Sequence, residues 1–236
     1  VENLTFPDDL LFDSEDGTVV VQDCVFNGAQ SGYPKASSIS YLNNTFEFKG
    51  PADKFYSGNA YPVWYKVEDA MKFVFTGNTV TGPRGVHIET RTTEADKQVN
   101  IRVDNNRFTL TDTGYENKTI ALQLVNQING DISFSNNSVD AYMAVCFFKD
   151  ITVVDGATLT VENNYLTENC KLYGSSEWNQ EDATEAEKIA AADNAAKDIV
   201  DELTGTGGST VIPGHTEHNY VNGVCTICDQ AQPSTG

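Results

Sequence analysis

The chain has 236 residues and carries 15 Lys and Arg against 34 Asp and Glu, a formal net charge of −19. This balance argues against nucleic acid and anionic membranes as partners, because both need positive charge on the protein. An acidic polysaccharide is disfavoured too, unless Ca²⁺ bridges the two. No run of 18 apolar residues occurs, so no membrane span is predicted. Low Lys with abundant Asn, Thr, Gly and Asp points to an extracellular or cell-wall-associated protein. The two ends, from Val1 and to Gly236, read as cuts within a longer protein or as the ends of a mature exported product.

Residues 1 to 16 hold Leu4, Phe6, Leu10, Leu11 and Phe12 among acids. They are predicted to cover an open first coil, because an uncovered sheet end invites edge-to-edge association. A repeat begins at Val19. Six copies align on the position of Asn106: Val19 to Phe26, Ile39 to Phe46, Phe73 to Val80, Ile101 to Phe108, Ile132 to Val139 and Leu159 to Leu166. Three columns are apolar throughout. The first is Val19, Ile39, Phe73, Ile101, Ile132 and Leu159; the second is Val21, Tyr41, Phe75, Val103, Phe134 and Val161; the third is Phe26, Phe46, Val80, Phe108, Val139 and Leu166. The first two columns are two residues apart, the period of a strand. The step to the third is five, so one residue between must break the alternation. Asn is suited to that turn because it tolerates left-handed backbone, and in the central copy Asn105 or Asn106 supplies it.

Successive copies lie 20 to 34 residues apart, a spacing that indicates a solenoid. No single unit can bury its apolar face, so the units must stack. Stacked strand–turn–strand units with Asn at the turn resemble the right-handed parallel β-helix of the pectate-lyase-like superfamily. The resemblance covers about residues 17 to 169 and implies an all-β solenoid of about six coils. Equivalent residues would then lie about 4.8 Å apart. Asn44, Asn78, Asn106, Asn137 and Asn164 could hydrogen-bond along a ladder, with Cys24 in that place in the first coil. A leucine-rich repeat is disfavoured because Leu does not dominate the columns. A β-sandwich would not keep Asn at one offset.

Second strands are predicted at Tyr61 to Val67, Arg84 to Arg91, Thr119 to Val125 and Tyr142 to Phe148, each with one face inside. The largest insertion lies between Phe46 and Phe73. The β-helix with its N-terminal cap is placed at 1–174, and an Ala-rich helix at 175–204, as cap or spacer. Thr184 and Glu187 form a candidate capping box. Ile189, Ala192, Ala196, Ile199 and Leu203 lie on one stripe, and Gly205 ends the helix. Residues 205–212 read as a Gly/Ser/Thr linker, and 213–236 as a zinc-binding tail.

In that tail, His215, His218, Cys225 and Cys228 are four ligands suited to a closed, structural Zn²⁺ site, with the hairpin signal Asn222-Gly223 between the pairs. A Cys225–Cys228 disulfide and an unordered end are the alternatives. The motif is similar to short His/Cys tails of surface proteins in Gram-positive gut bacteria, with Asp229 in place of the usual Gly. Cys24, Cys146 and Cys170 read as small buried residues.

On the solenoid, Trp64, Lys66 and Glu68 alternate outward on one predicted strand, as do His87, Glu89 and Arg91 on the next. Tyr61, Trp64 and His87 are candidates to bind a sugar ring. Glu68 and Glu89 could approach to about 5 Å, the spacing of a retaining glycosidase, and Lys66 or Arg91 could act as a lyase base. Solvated cross-strand charge pairs are the plainer reading of the same residues. Pectate lyases carry clustered Asp for Ca²⁺ with an Arg base, and polygalacturonases carry Asp pairs with Gly-His-Gly. Neither set is found in the solenoid body. The expectation is therefore a binding or display module for carbohydrate or a host or cell-wall surface. A polysaccharide lyase or glycoside hydrolase is the alternative.

Overall fold

The computed structural model describes residues 1–47, 61–94, 96–111, 119–148, 150–175, 183–205 and 207–226. Their strands form a parallel β-helix with three faces. Sheet I stacks Thr18–Gln22, Ser38–Leu42, Met71–Thr76, Val99–Asp104, Asp131–Ser135, Thr158–Glu162 and Thr210–Val211. Sheet II stacks Thr5–Phe6, Val25–Phe26, Thr45–Glu47, Thr79–Gly82, Arg107–Leu110, Ser138–Asp140 and Tyr165–Leu166. Sheet III runs Gln30–Gly32, Val63–Val67, Arg84–Thr90, Ile120–Val125, Met143–Phe147 and Lys171–Ser175. Each coil contributes one strand to each sheet, which gives six full coils.

The predicted columns stack in register. Ile39 pairs with Phe73, Phe73 with Ile101, Ile101 with Ile132 and Ile132 with Leu159. The second and third columns lie wholly inside. Parallel stacking puts like side chains in contact, and aromatic rings run down the core: Phe6–Phe26 at 5.1 Å between centroids, Phe26–Phe46 at 4.7 Å, Phe75–Phe108 at 6.3 Å and Phe108–Phe134 at 6.2 Å.

At the turn between sheets I and II, the two tasks given to Asn are divided between adjacent residues. The left-handed residue is Asp23, Asn43, Gly77, Asn105, Asn136 or Asn163, with φ from 53° to 70°. The residue after it builds the ladder. The Nδ2 atoms of Asn44, Asn78, Asn106 and Asn137 each donate to the Oδ1 of the next Asn, at 3.0, 3.1, 3.0 and 3.2 Å. Each Oδ1 also accepts a backbone N–H from the coil before, beginning with Cys24 N to Asn44 Oδ1 at 3.0 Å. An inward amide thereby satisfies backbone groups that the turn would leave buried and unpaired.

Two tyrosine hydroxyls meet in the core. The Tyr41 and Tyr65 hydroxyls lie 2.5 Å apart, both fully buried, and burial first of all pushes both phenols up. Tyr41→Phe is expected to cost about 1–3 kcal/mol, because it leaves the Tyr65 hydroxyl unpaired. The double variant Tyr41→Phe/Tyr65→Phe is expected to lie closer to wild type than either single variant. Urea unfolding of the four proteins checks this, and additive losses would refute it.

The N-terminal segment is a further partial coil. Glu2 bridges Gln22, Thr5–Phe6 pairs with Val25–Phe26, and Leu10 bridges Gln30. At the other end, helix α1 (Glu185–Gly205) begins at the predicted capping box, with Thr184 N donating to Glu187 Oε2 at 2.8 Å and Glu187 N to Thr184 Oγ1 at 3.3 Å. Its buried face is Ala192, Ala196, Val200 and Leu203. Gly205 ends it as expected. The Gly/Ser/Thr run after it does not simply trail away: Thr210–Val211 joins sheet I beside Thr160–Val161. An unpaired edge strand accepts any chain that can supply backbone groups, and composition does not reveal that.

Candidate functional site

Two groups of residues carry chemistry: the outward face of sheet III and the C-terminal tail. On sheet III, alternation sends Trp64 and His87 away from the core, and register sets them side by side, with Ser31 before and Gln123 and Cys146 after. Outward does not mean exposed. His87 is 7% exposed and Gln123 3%. Tyr61 accounts for part of this: its ring lies 4.8 Å from His87 and 6.1 Å from Trp64, and its hydroxyl donates to Gln123 Oε1 at 2.5 Å. Ile120, in the predicted strand from Thr119 to Val125, does not join the main core. It packs with Met143 and Cys146 in a separate cluster, and Ala121 lies in the core instead.

This cluster is short of hydrogen bonds. Among the described residues, Trp64 Nε1, both ring nitrogens of His87 and Arg84 Nε are buried without a hydrogen-bond partner. Burial drives the His87 imidazole down to about 3, with Gln123 opposing and Lys66 adding to the fall, so the ring is neutral. Burial pushes the Tyr61 phenol up to about 12, with Arg84 opposing. Groups left buried and unpaired cost about 1–3 kcal/mol each.

The charged candidates lie one row further out. Lys66 is the register partner of Glu89. The Lys66 ammonium lies 5.3 Å from the Tyr33 ring and 5.3 Å from the Trp64 ring. Arg91 lies 2.7 Å from Glu89 and 3.7 Å from Glu68, and its Nη1 donates to the Tyr33 hydroxyl at 3.4 Å. One guanidinium thus serves both carboxylates that were candidates for an acid–base pair. Tyr33, absent from the sequence-derived set, is 49% exposed. With Lys66, Glu68 and Lys35 it lines an open cleft of about 490 Å³. A lone Tyr outside any repeat column gave no signal; only the coil before Lys66 brings it here.

In the tail, Tyr220–Val221 and Val224–Cys225 form the predicted hairpin, with Asn222 and Gly223 both at positive φ. It returns Cys225 to His215, Sγ to Nε2 at 3.9 Å. The ligand atoms of His215, His218 and Cys225 all lie within 4.8 Å of one another, so this cluster could hold a metal ion. Cys228, the fourth predicted ligand, lies outside the described residues. Of the other cysteines, Cys24 and Cys146 are buried, and burial drives the partly buried Cys170 thiol up to about 12. No family model, curated protein or solved structure matches this chain.

Proposed function

We propose that the protein is an extracellular or cell-surface binding module of the pectate-lyase-like type that recognises glycans, on a host or cell-wall surface, through sheet III. The observation that carries this reading is a continuous row of rings and cations across adjacent coils. It runs Tyr33, Lys66, Trp64, His87, Tyr61, with neighbouring groups 4.8 to 5.3 Å apart, beside an open cleft. The exposed Tyr33 ring offers apolar contact to a sugar ring, and Lys35, Lys66 and Glu68 of the cleft offer hydrogen bonds to its hydroxyls. A catalytic role is disfavoured by Arg91, which acts as counter-ion to both Glu68 and Glu89.

The test is a glycan array followed by a titration with a retained glycan, together with a turnover assay on the matching polysaccharide. Trp64→Ala is expected to weaken binding on the order of 30-fold, the effect of losing a central aromatic anchor, with circular dichroism unchanged. Turnover that Glu89→Gln abolishes would replace the binding reading with an enzymatic one.

We also propose that the tail cluster binds Zn²⁺, in a structural role. Two imidazoles and a thiolate are the donor set that zinc favours. A tetrahedral zinc would separate its nitrogen and sulfur ligands by about 3.6 Å, near the distance between Cys225 Sγ and His215 Nε2.

A further inference from the structure

The tail and the last coil share backbone groups, and this gives the metal cluster a task. After α1 the chain lies along the open edge of the final coil. Leu159 N donates to Ser209 Oγ at 2.9 Å, Ile212 N to Val161 O at 2.8 Å and His215 N to Asn164 O at 2.9 Å. Leu166 N returns a bond to His215 O at 2.9 Å. These contacts pair backbone groups that the six-coil stack would otherwise present to solvent. They amount to a two-residue strand and one isolated bridge, too few to hold a segment firmly on their own.

The metal ligands begin at that bridge. His215 is itself the residue bonded to the coil, opposite Tyr165. His218 stacks on Tyr165 at 4.0 Å and on Tyr220 at 5.1 Å, so one ring of the last coil and one of the hairpin enclose it. Gly214 permits the approach: a Cβ there would meet Leu166 Cγ at 2.6 Å. Among the described residues no hydrogen bond reaches the buried His215 Nδ1. Cys225 is 0% exposed although the hairpin around it is mostly exposed.

We infer that a zinc ion on His215, His218 and Cys225 fastens the end of the chain over the last coil, so that the solenoid's C-terminal edge is closed only when the metal is bound. The inference rests on the zinc reading above. The ion links His215, which is bonded to the coil backbone, to Cys225 ten residues later. It turns a weakly held strip into a closed loop anchored on Tyr165. Loss of the ion releases the strip and uncovers the edges of Thr158–Glu162 and Tyr165–Leu166.

The experiment measures zinc content and amide hydrogen exchange on the full chain, with and without a chelator. One zinc per chain is expected. On chelation, the amides of Leu166, Ile212 and His215 are expected to exchange at least about tenfold faster, while those of Asn106 and Asn137 in the ladder stay as slow as before. His218→Ala and Cys225→Ser are expected to reproduce the chelated pattern. Stoichiometric zinc with unchanged exchange at Leu166, Ile212 and His215 overturns the fastening role and leaves the zinc site standing. Absence of bound zinc overturns both. Undiminished zinc affinity in Cys225→Ser overturns the ligand assignment.

Discussion

Replacing Asn106 by Ala is expected to destabilise the protein by about 4 kcal/mol. Asn106 is fully buried at the centre of the ladder. Its Oδ1 accepts from Asn78 N at 2.8 Å and from Asn78 Nδ2 at 3.1 Å, and its Nδ2 donates to Phe75 O at 2.8 Å and to Asn137 Oδ1 at 3.0 Å. Ala removes all four bonds. Two partners have alternatives: Asn78 Nδ2 still reaches Tyr41 O, and Asn137 Oδ1 still accepts Asn106 N. The Asn78 amide and the Phe75 carbonyl lose this partner, at about 1–3 kcal/mol for each group left unpaired. The small cavity adds to the loss. Asn105→Gly, one residue earlier, is expected to be neutral within about 0.5 kcal/mol, because Asn105 is exposed at φ 56° and Gly takes that conformation without strain. Urea denaturation of both variants is the measurement. A loss below about 1 kcal/mol for Asn106→Ala would remove the ladder from the account of stability.

The second large effect is on acid stability. The folded protein holds His87 neutral down to about pH 3, against 6.5 for the ordinary imidazole. Between these values the unfolded chain carries a proton here that the folded chain does not. The contribution of His87 is therefore complete above about pH 6.5, falls as pH drops through that window, and is lost below about pH 3. Its slope is at most about 1.4 kcal/mol per pH unit, so acidification to about pH 4.5 removes on the order of 3 kcal/mol. Tyr61, Trp64, Lys66 and Gln123 face the ring from neighbouring segments, and Arg84 lies on its own strand. None is a carboxylate that would hold a proton on it. In His87→Gln the stability difference between about pH 7 and pH 4.5 is expected to shrink by that amount. Equal differences in the two proteins would show that the imidazole is not held neutral.

The three apolar columns were readable because they report inward direction, and parallel stacking repeats that direction in every coil. Left-handed geometry at the turn was readable for the same reason. The sequence did not say which of two adjacent residues takes it, because Asn serves equally well in both places. Only the fold separates exposed Asn105 from buried Asn106: the residue at positive φ turns the chain, and the next then points inward against the coil before it. The hairpin at Asn222-Gly223 and the capping box at Thr184 are local in the same way, and both form where their residues predict.

The functional surfaces were less legible. A period of two placed His87 on the outer face of sheet III, but period is blind to what lies over that face. Tyr61, three residues before Trp64, folds back across it. Tyr33 joins the charged row only because coils of unequal length set it next to Lys66. The spacing of His215, His218 and Cys225 proposed a metal site. Their position against Tyr165 and the edge of the last coil came from the stack alone. The sequence by itself determined the coil, its core and its turn, since these depend on interactions repeated every 20 to 34 residues. What covers each face and what closes each end was decided by tertiary structure, because those contacts join segments that occur once and follow no period.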